Sequence, residues 1–268
     1  VNSLLTEKAQ LGSRPKPSQI AVGVKETISL PEKVIDDRFG SGSKDGVAWL
    51  FAGAPTKGHI GGGFLYTNRE SVSIGLVATL SDLCTSDTPI YQMEDFKNHP
   101  AVAPLLSGGE IVEYSGHLVP EGGFDMVSKL YADGCLVAGD AAMLCINLGY
   151  QVRGMDYAIA SGQIAARTAI EALDACDVSE SRLSRYKAKL ENSFVLKDLM
   201  TYRSLPHFLE STPRMFNEYP EMASEIMGSL FVVDGKPVTP IKQSVMGAVK
   251  KVGMMNLFKD VRKGAKSL

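Results

Sequence analysis

The run Cys135-Leu-Val-Ala-Gly-Asp140-Ala-Ala142 sets a carboxylate just past four apolar residues and a glycine. A carboxylate at the carboxyl end of a buried strand is placed to accept a hydrogen bond from a sugar or ribityl hydroxyl. The backbone N–H groups that follow it, from Ala141 onward, can meet a phosphate. Gly139 permits the close backbone approach that this requires. Downstream, Gly149 and Gly154 bracket a loop leading into a helix that opens at Met155. The partial positive charge of that helix N-terminus suits an electron-rich cofactor carbonyl. Strand, acidic turn, glycine loop and small-residue helix together point to a flavin. Its contacts would fall at Gly139, Asp140, Ala141, Gly149, Gly154 and Met155. The alternative is a plain strand–turn–helix packing unit in which Asp140 is a local cap.

Other chemistries find less support. Cys84, Cys135, Cys145 and Cys176 form no C-x-x-C pair, and His59, His99, His117 and His207 form no H-x-x-x-H pair, so no metal site is expected. No Ser–His–Asp pattern stands out, and no catalytic residue can be named. With 28 basic and 30 acidic residues in 268, the chain carries a net charge of −2, unlike a general nucleic-acid binder. No run approaches the ~20 apolar residues that span a bilayer, and no signal-peptide pattern opens the chain. The expected location is cytoplasmic. The tail 241–268 sets seven cations against Asp260 alone, interleaved with Val245, Val249, Val252, Met255, Leu257, Phe258 and Val261. Such a segment either lies on the inner face of the membrane as a peripheral contact or packs on its own domain with the cations outward.

The elements that must hold the motif read as an α+β chain. Alternation marks strands at 20–29, 47–53, 61–67, 71–77 and 110–119, with Val72, Ile74 and Leu76 on one face and Thr67-Asn68-Arg69-Glu70 as a turn. Their short links predict an antiparallel sheet over 20–120, interrupted by a helix at 89–99. Residues 32–39 read as a polar segment ahead of the Gly40-Ser41-Gly42-Ser43 loop. A buried strand is expected at 135–138. The helix from 154 should turn Met155, Ile159, Gly162, Ala166, Ala169 and Leu173 toward a sheet. A second helix is expected over 179–204, capped by Ser179 and burying Leu183, Tyr186 and Leu190.

The blocks GGGFLYTN (61–68), SIGLVATL (73–80), FKNHPAVAPLLSGGEIVEYSGH (96–117), VPEGG (119–123) and VAGDAAMLCINLGYQVRGMDYAIASG (137–162) resemble the electron transfer flavoprotein–quinone oxidoreductase family, above all its bacterial FixC-type branch. The resemblance implies FAD as cofactor. Electrons would arrive from electron transfer flavoprotein subunits and leave to a quinone. It also implies a glutathione-reductase-like FAD domain with an antiparallel sheet domain inserted. On that scheme 1–19 is a remnant of the FAD domain and 20–130 the substrate or quinone domain. Residues 131–175 are the returning strand and helix, and 176–268 a helical region with a basic tail. The family's N-terminal G-x-G-x-x-G unit has no counterpart here, so the chain, which opens abruptly at Val1-Asn2-Ser3, reads as the C-terminal part of a longer flavoprotein that would hold FAD weakly alone. The cysteine-rich iron–sulfur module of the mitochondrial members is also missing, which implies a separate ferredoxin-like partner. Met143 and Asn147 stand where many related flavoproteins carry histidine or glycine, and proline. The resemblance places Gly62, Gly63 and Tyr66 beside the flavin and quinone, although strand packing at a bulge explains the glycines equally well. His117 and Glu121 are polar candidates for the same pocket, and an exposed strand end accounts for them as readily. Two other readings stay open: a geranylgeranyl-reductase-like enzyme acting on prenyl lipids, and a docking surface alone.

Overall fold

The computed structural model describes residues 4–42, 45–83, 89–149 and 151–267. Val1–Ser3, Ser43 of the expected loop, Cys84 and Tyr150 lie outside the described residues. Five strands form an antiparallel sheet: β1 (Ile20–Ser29), β2 (Ala48–Phe51), β3 (Gly61–Thr67), β4 (Ser71–Thr79) and β5 (Glu110–Pro120), in the order β2-β3-β4-β1-β5. β3 and β4 form a hairpin closed by Asn68, whose N–H donates to the Ser71 carbonyl at 2.8 Å. β1 lies between β4 and β5, with Val24 opposite Leu76 and Gly116.

The alternation of Val72, Ile74 and Leu76 puts all three into one buried cluster with Val24, Ile28 and Leu65. Against it lie the helices Glu32–Phe39 and Pro89–Lys97, which contribute Ile35, Phe39, Met93 and Phe96. The first of these was expected as a polar segment. Ile35 and Phe39, four apart, bury one narrow stripe, while Pro31 opens the helix and Gly40 at φ 63° ends it. Three apolar positions, Val34, Ile35 and Phe39, among five charged ones make a weak periodic signal.

A second cluster joins Leu144, Ile146, Tyr157, Tyr186, Leu190, Val195, Leu199 and Leu205. The expected 135–138 strand is shorter and less buried. Only Cys135–Leu136 (β7) pairs, antiparallel to Tyr131–Ala132 (β6), because Gly139 turns left-handed at φ 59° and carries the chain into a 3-10 turn, Gly139–Ala142. Ile146–Asn147 (β8) and Val152–Arg153 (β9) form a further small hairpin. The expected 179–204 helix is three helices, Glu180–Leu183, Arg185–Asn192 and Phe194–Thr201. Ser179 caps the first by accepting from the Arg182 N–H at 3.3 Å, and Ser193 caps the third through the Val195 N–H. A serine hydroxyl that bonds nearby backbone favours a new helix start over continuation.

The Met155–Asp174 helix is rotated from expectation. Tyr157, Ser161, Thr168 and Ala172 are buried, whereas Met155 is 85% and Ile159 74% exposed, with Leu173 also in solvent. Among the described residues no sheet covers the face that the sequence marked for one. The basic tail forms two helices, Ile241–Val252 and Met254–Gly264, broken at Gly253 with φ 91°. Asp260 anchors them. It accepts from Arg214 Nε and Nη2 at 2.7 and 3.1 Å and from the Tyr219 hydroxyl at 2.7 Å.

Candidate functional site

The turn at Gly139 brings three of the expected residues together. The Gly139 N–H donates to Ser161 Oγ at 3.0 Å, and a side chain at Gly139 would meet Ala158 Cβ at 3.2 Å, so the turn sits directly on the Met155–Asp174 helix. At Gly154 a Cβ would stand 3.6 Å from Asp140 Oδ1 and 3.0 Å from Cys145 Sγ. Asp140 therefore lies beside the N-terminus of a 20-residue helix whose first residue follows Gly154, and no side chain caps that end. The Asp140 carboxylate is exposed, and no hydrogen bond of its own is seen among the described residues. An open acceptor next to uncapped helix N–H groups suits a ligand with hydroxyls and a phosphate or polar carbonyl. The residues fit a flavin in that respect.

Arg153 fixes the entry to the helix. Its guanidinium donates to Asp156 and to Asp198 Oδ2 at 2.9 Å and lies 4.7 Å over the Tyr157 ring. Met155 directs its side chain into solvent, so only its backbone belongs to the turn. Gly149 stands apart from Asp140 in its packing. At φ 85° its Cβ position is 3.1 Å from Leu209, and its N–H donates to Asn147 Oδ1 at 2.8 Å.

The sheet residues separate by role. A Cβ at Gly62 would lie 2.5 Å from the Phe51 carbonyl oxygen, and one at Gly63 would lie 2.7 Å from the Phe96 ring. Both glycines are thus accounted for by close packing inside the sheet layer. Tyr66 stacks on Phe64 with ring centroids 5.2 Å apart, and burial pushes its hydroxyl above the usual range. His117 is exposed on the edge strand β5, opposite Gly23.

Glu121 differs from the exposed strand end that the sequence allowed. It is 6% exposed and lines a cleft of about 320 Å³ between the end of β5 and the Leu205–Glu210 helix. Thr79 Oγ1 donates to its Oε2 and Asn147 Nδ2 to its Oε1, each at 3.0 Å. Burial pushes the carboxyl up to about 7, against the lowering effect of those two donors. Thr79 escaped the sequence reading, and Asn147 entered it only as a departure from the proline of related flavoproteins, not as a partner of Glu121. The only signal for Asn147 is a lone amide inside the apolar run Leu144–Leu148. Through Asn147 the sheet is hydrogen-bonded to the loop that carries Gly149 and Gly154.

Comparison with known proteins follows this division. The model of the ubiquinone-binding region of electron transfer flavoprotein–quinone oxidoreductase (ETF-QO) matches residues 20–119, the five-stranded sheet short of the last residue of β5. That of the ETF-QO/FixC family C-terminal domain matches 205–268. The probable electron transfer flavoprotein-quinone oxidoreductase YdiS of Escherichia coli K12 is 49% identical over 269 residues, covering 100% of this chain and 62% of that protein. Protein FixC of Azorhizobium caulinodans is 40% identical over 271 residues, again 100% and 62%. Among solved structures, a geranylgeranyl bacteriochlorophyll reductase-like protein from Thermoplasma acidophilum aligns with TM-score 0.58 at 17% identity, covering 89% of this chain and 55% of that one. The flavin-dependent halogenase CmlS aligns with TM-score 0.51 at 14% identity, covering 97% and 48%. These two likenesses concern the fold alone. The chain spans about three-fifths of the length of the curated relatives it matches. With both family models on the regions that flank the Asp140–Gly154 turn, and with relatives aligned along its whole length, the chain belongs to the ETF-QO/FixC family.

Proposed function

We propose that the whole protein is an FAD-dependent oxidoreductase that passes electrons to a quinone. Electrons would come from electron transfer flavoprotein subunits, with a ferredoxin-like iron–sulfur protein as relay. The observation that carries this reading is the hydrogen-bonded junction of two surfaces. The sheet that matches a ubiquinone-binding model is tied by Glu121 and Asn147 to the loop holding an open carboxylate beside an uncapped helix N-terminus. FAD would supply the redox chemistry when bound. Asp140 would accept from its ribityl hydroxyls. The backbone at Gly139, Ala141, Gly154 and Met155 would meet its phosphate and pyrimidine end, and Gly149 would shape the loop. Gly62, Gly63, Tyr66 and His117 remain the proposed quinone wall, the glycines contributing backbone alone. The exposed apolar face of the Met155–Asp174 helix would be covered by the rest of a glutathione-reductase-like FAD domain.

A peripheral membrane contact belongs to the same reading. No helix among the described residues is long and apolar enough to cross a membrane. Phe231 and Val233, ahead of the basic tail, are 78% and 96% exposed, with Val232, Val238 and Ile241 also in solvent and Lys236 and Lys242 among them. Apolar side chains beside lysines suit an anionic lipid surface.

The test is reconstitution of the full gene product with FAD, followed by anaerobic reduction and addition of a water-soluble ubiquinone analogue. Stoichiometric flavin that is reoxidised by the quinone is the expected outcome. Flavin that stays reduced in the presence of the quinone would refute the proposal.

A further inference from the structure

Among the described residues, two carboxylates are almost fully buried in the sheet region, and they are handled in opposite ways. Glu26 is held by Lys97, whose Nζ donates to its two oxygens at 3.1 and 2.9 Å. Glu121 meets only the neutral donors Thr79 and Asn147, and no cation pairs with it among the described residues. An ionised carboxylate without a cation is costly in such a place, whereas the protonated form is not.

The surroundings accommodate both forms. Thr79 Oγ1 lies 3.0 Å from Glu121 Oε2 and 3.4 Å from the Ile60 carbonyl oxygen. With Glu121 ionised, the Thr79 hydroxyl donates to it. With Glu121 protonated, the acid donates to Thr79 Oγ1 and the hydroxyl turns its hydrogen to Ile60. One hydroxyl rotation exchanges the two states, and no heavy atom has to move. On the other side, Asn147 donates to Glu121 and accepts from the Gly149 N–H, so one side chain separates Glu121 from the glycine loop.

The charged neighbours leave this balance intact. Asp82, beneath Ile60, opposes ionisation of Glu121 and is itself 3.8 Å from His59. Across the cleft Arg203 is neutralised by Asp125 at 2.7 Å, and Lys16, His207 and Glu210 are exposed at the mouth. Cys145, buried nearby, has its thiol pushed up by burial and stays neutral.

We propose that Glu121 is the proton-exchange group for quinone reduction, loaded from water in the cleft. The inference rests on the function proposed above. Conversion of a quinone to a quinol takes up two electrons and two protons, and each ring carbonyl becomes a hydroxyl. The electrons come from the reduced flavin. Glu121 gives a proton to an oxygen being reduced, becomes a carboxylate, and regains a proton from cleft water before the second transfer.

The experiment compares the FAD-loaded full gene product with E121Q and T79V. Each reduced protein is reoxidised either by the ubiquinone analogue or by ferricyanide, which takes electrons without protons, between pH 5.5 and 9. Reoxidation of the wild type by quinone should slow above neutral pH. E121Q should lose that break and react with quinone about a hundredfold more slowly, the low end for general acid–base catalysis. Its loss with ferricyanide should be at least tenfold smaller. T79V removes a donor to the anion and should move the break to higher pH, by about one pH unit. As a readout apart from turnover, the protonated-carboxyl infrared band of the resting wild type should titrate near neutral pH and be absent in E121Q. Equal losses with both acceptors, an unchanged pH break in E121Q, or an unaltered infrared titration would overturn the proposal. A wild type that holds FAD but is not reoxidised by quinone at any pH would instead bring down the underlying function, and this assignment with it.

Discussion

Gly139 is where the backbone geometry of the turn is most demanding. Its φ of 59° is one that L side chains rarely adopt, and a Cβ there would press on Ala158 at 3.2 Å. Gly139→Ala should destabilise the chain by about 1–2 kcal/mol, measured as a shift in urea midpoint at unchanged slope. Glu121 makes a different contribution. Its carboxyl, raised from an ordinary 4.5 to about 7, binds its proton more tightly in the folded than in the unfolded state. The sign follows from linkage: the associated stability is full below pH 4.5 and is lost as pH rises through 7, a change of about 3 kcal/mol. E121Q should flatten that part of the stability–pH curve and be at least as stable as the wild type at pH 8. A mutant curve that keeps the wild-type slope between pH 4.5 and 7 would show that another group titrates there.

At the scale of elements, the Met155–Asp174 helix has two unlike faces. Its inner face packs Tyr157 and Ala172, while Ile159 and Met155 stand in solvent. Ile159→Lys should therefore change the stability of this 268-residue chain by less than about 0.5 kcal/mol. In the full gene product, where the rest of the FAD domain is proposed to cover that face, the same change should cost about 2 kcal/mol or more and lower flavin content. Equal tolerance in both settings would refute the proposed packing. The most buried polar tie between the tail and the rest of the chain runs through Asp260. Asp260→Ala leaves Arg214 and Tyr219 without their partner and should cost about 2 kcal/mol, since Arg214 is only partly buried. The Arg214 guanidinium holds the Asp260 carboxyl below its ordinary value, so this contribution is present above pH 4 and fades as acid protonates it. Loss of helicity confined to the Met254–Gly264 segment, read by hydrogen exchange, is the expected signature.

For the molecule as a whole, the exposed apolar side chains from Phe231 to Val238 and the basic tail lie next to each other in sequence, and each makes a different demand on a membrane. Binding to vesicles of anionic lipid should weaken with salt through the lysines. F231D/V233D should abolish it even at low salt, which flotation of the purified chain would show. Binding that survives both changes would remove this region from the membrane reading.

Much of the architecture was legible in sequence because period-two alternation is a local property. Val72, Ile74 and Leu76 mark β4, and the antiparallel sheet follows from short links between such strands. The acidic turn was legible for a similar reason, since glycine at a left-handed position and a carboxylate after an apolar run are both local signals. The family was legible too, from blocks of residues that the comparisons bear out. What the chain alone could not tell is which face of a helix finds a partner. Spacing marked Met155, Ile159 and Leu173 as an inward stripe, but burial depends on what stands opposite, and the described residues place Tyr157 and Ser161 inward instead. Glu121 shows the same limit in its chemistry. A glutamate after a proline at a strand end reads as solvated. Only the convergence of Thr79 from β4, Asn147 from the glycine loop and the Leu205–Glu210 helix takes it out of water, and desolvation moves its proton affinity to neutral pH.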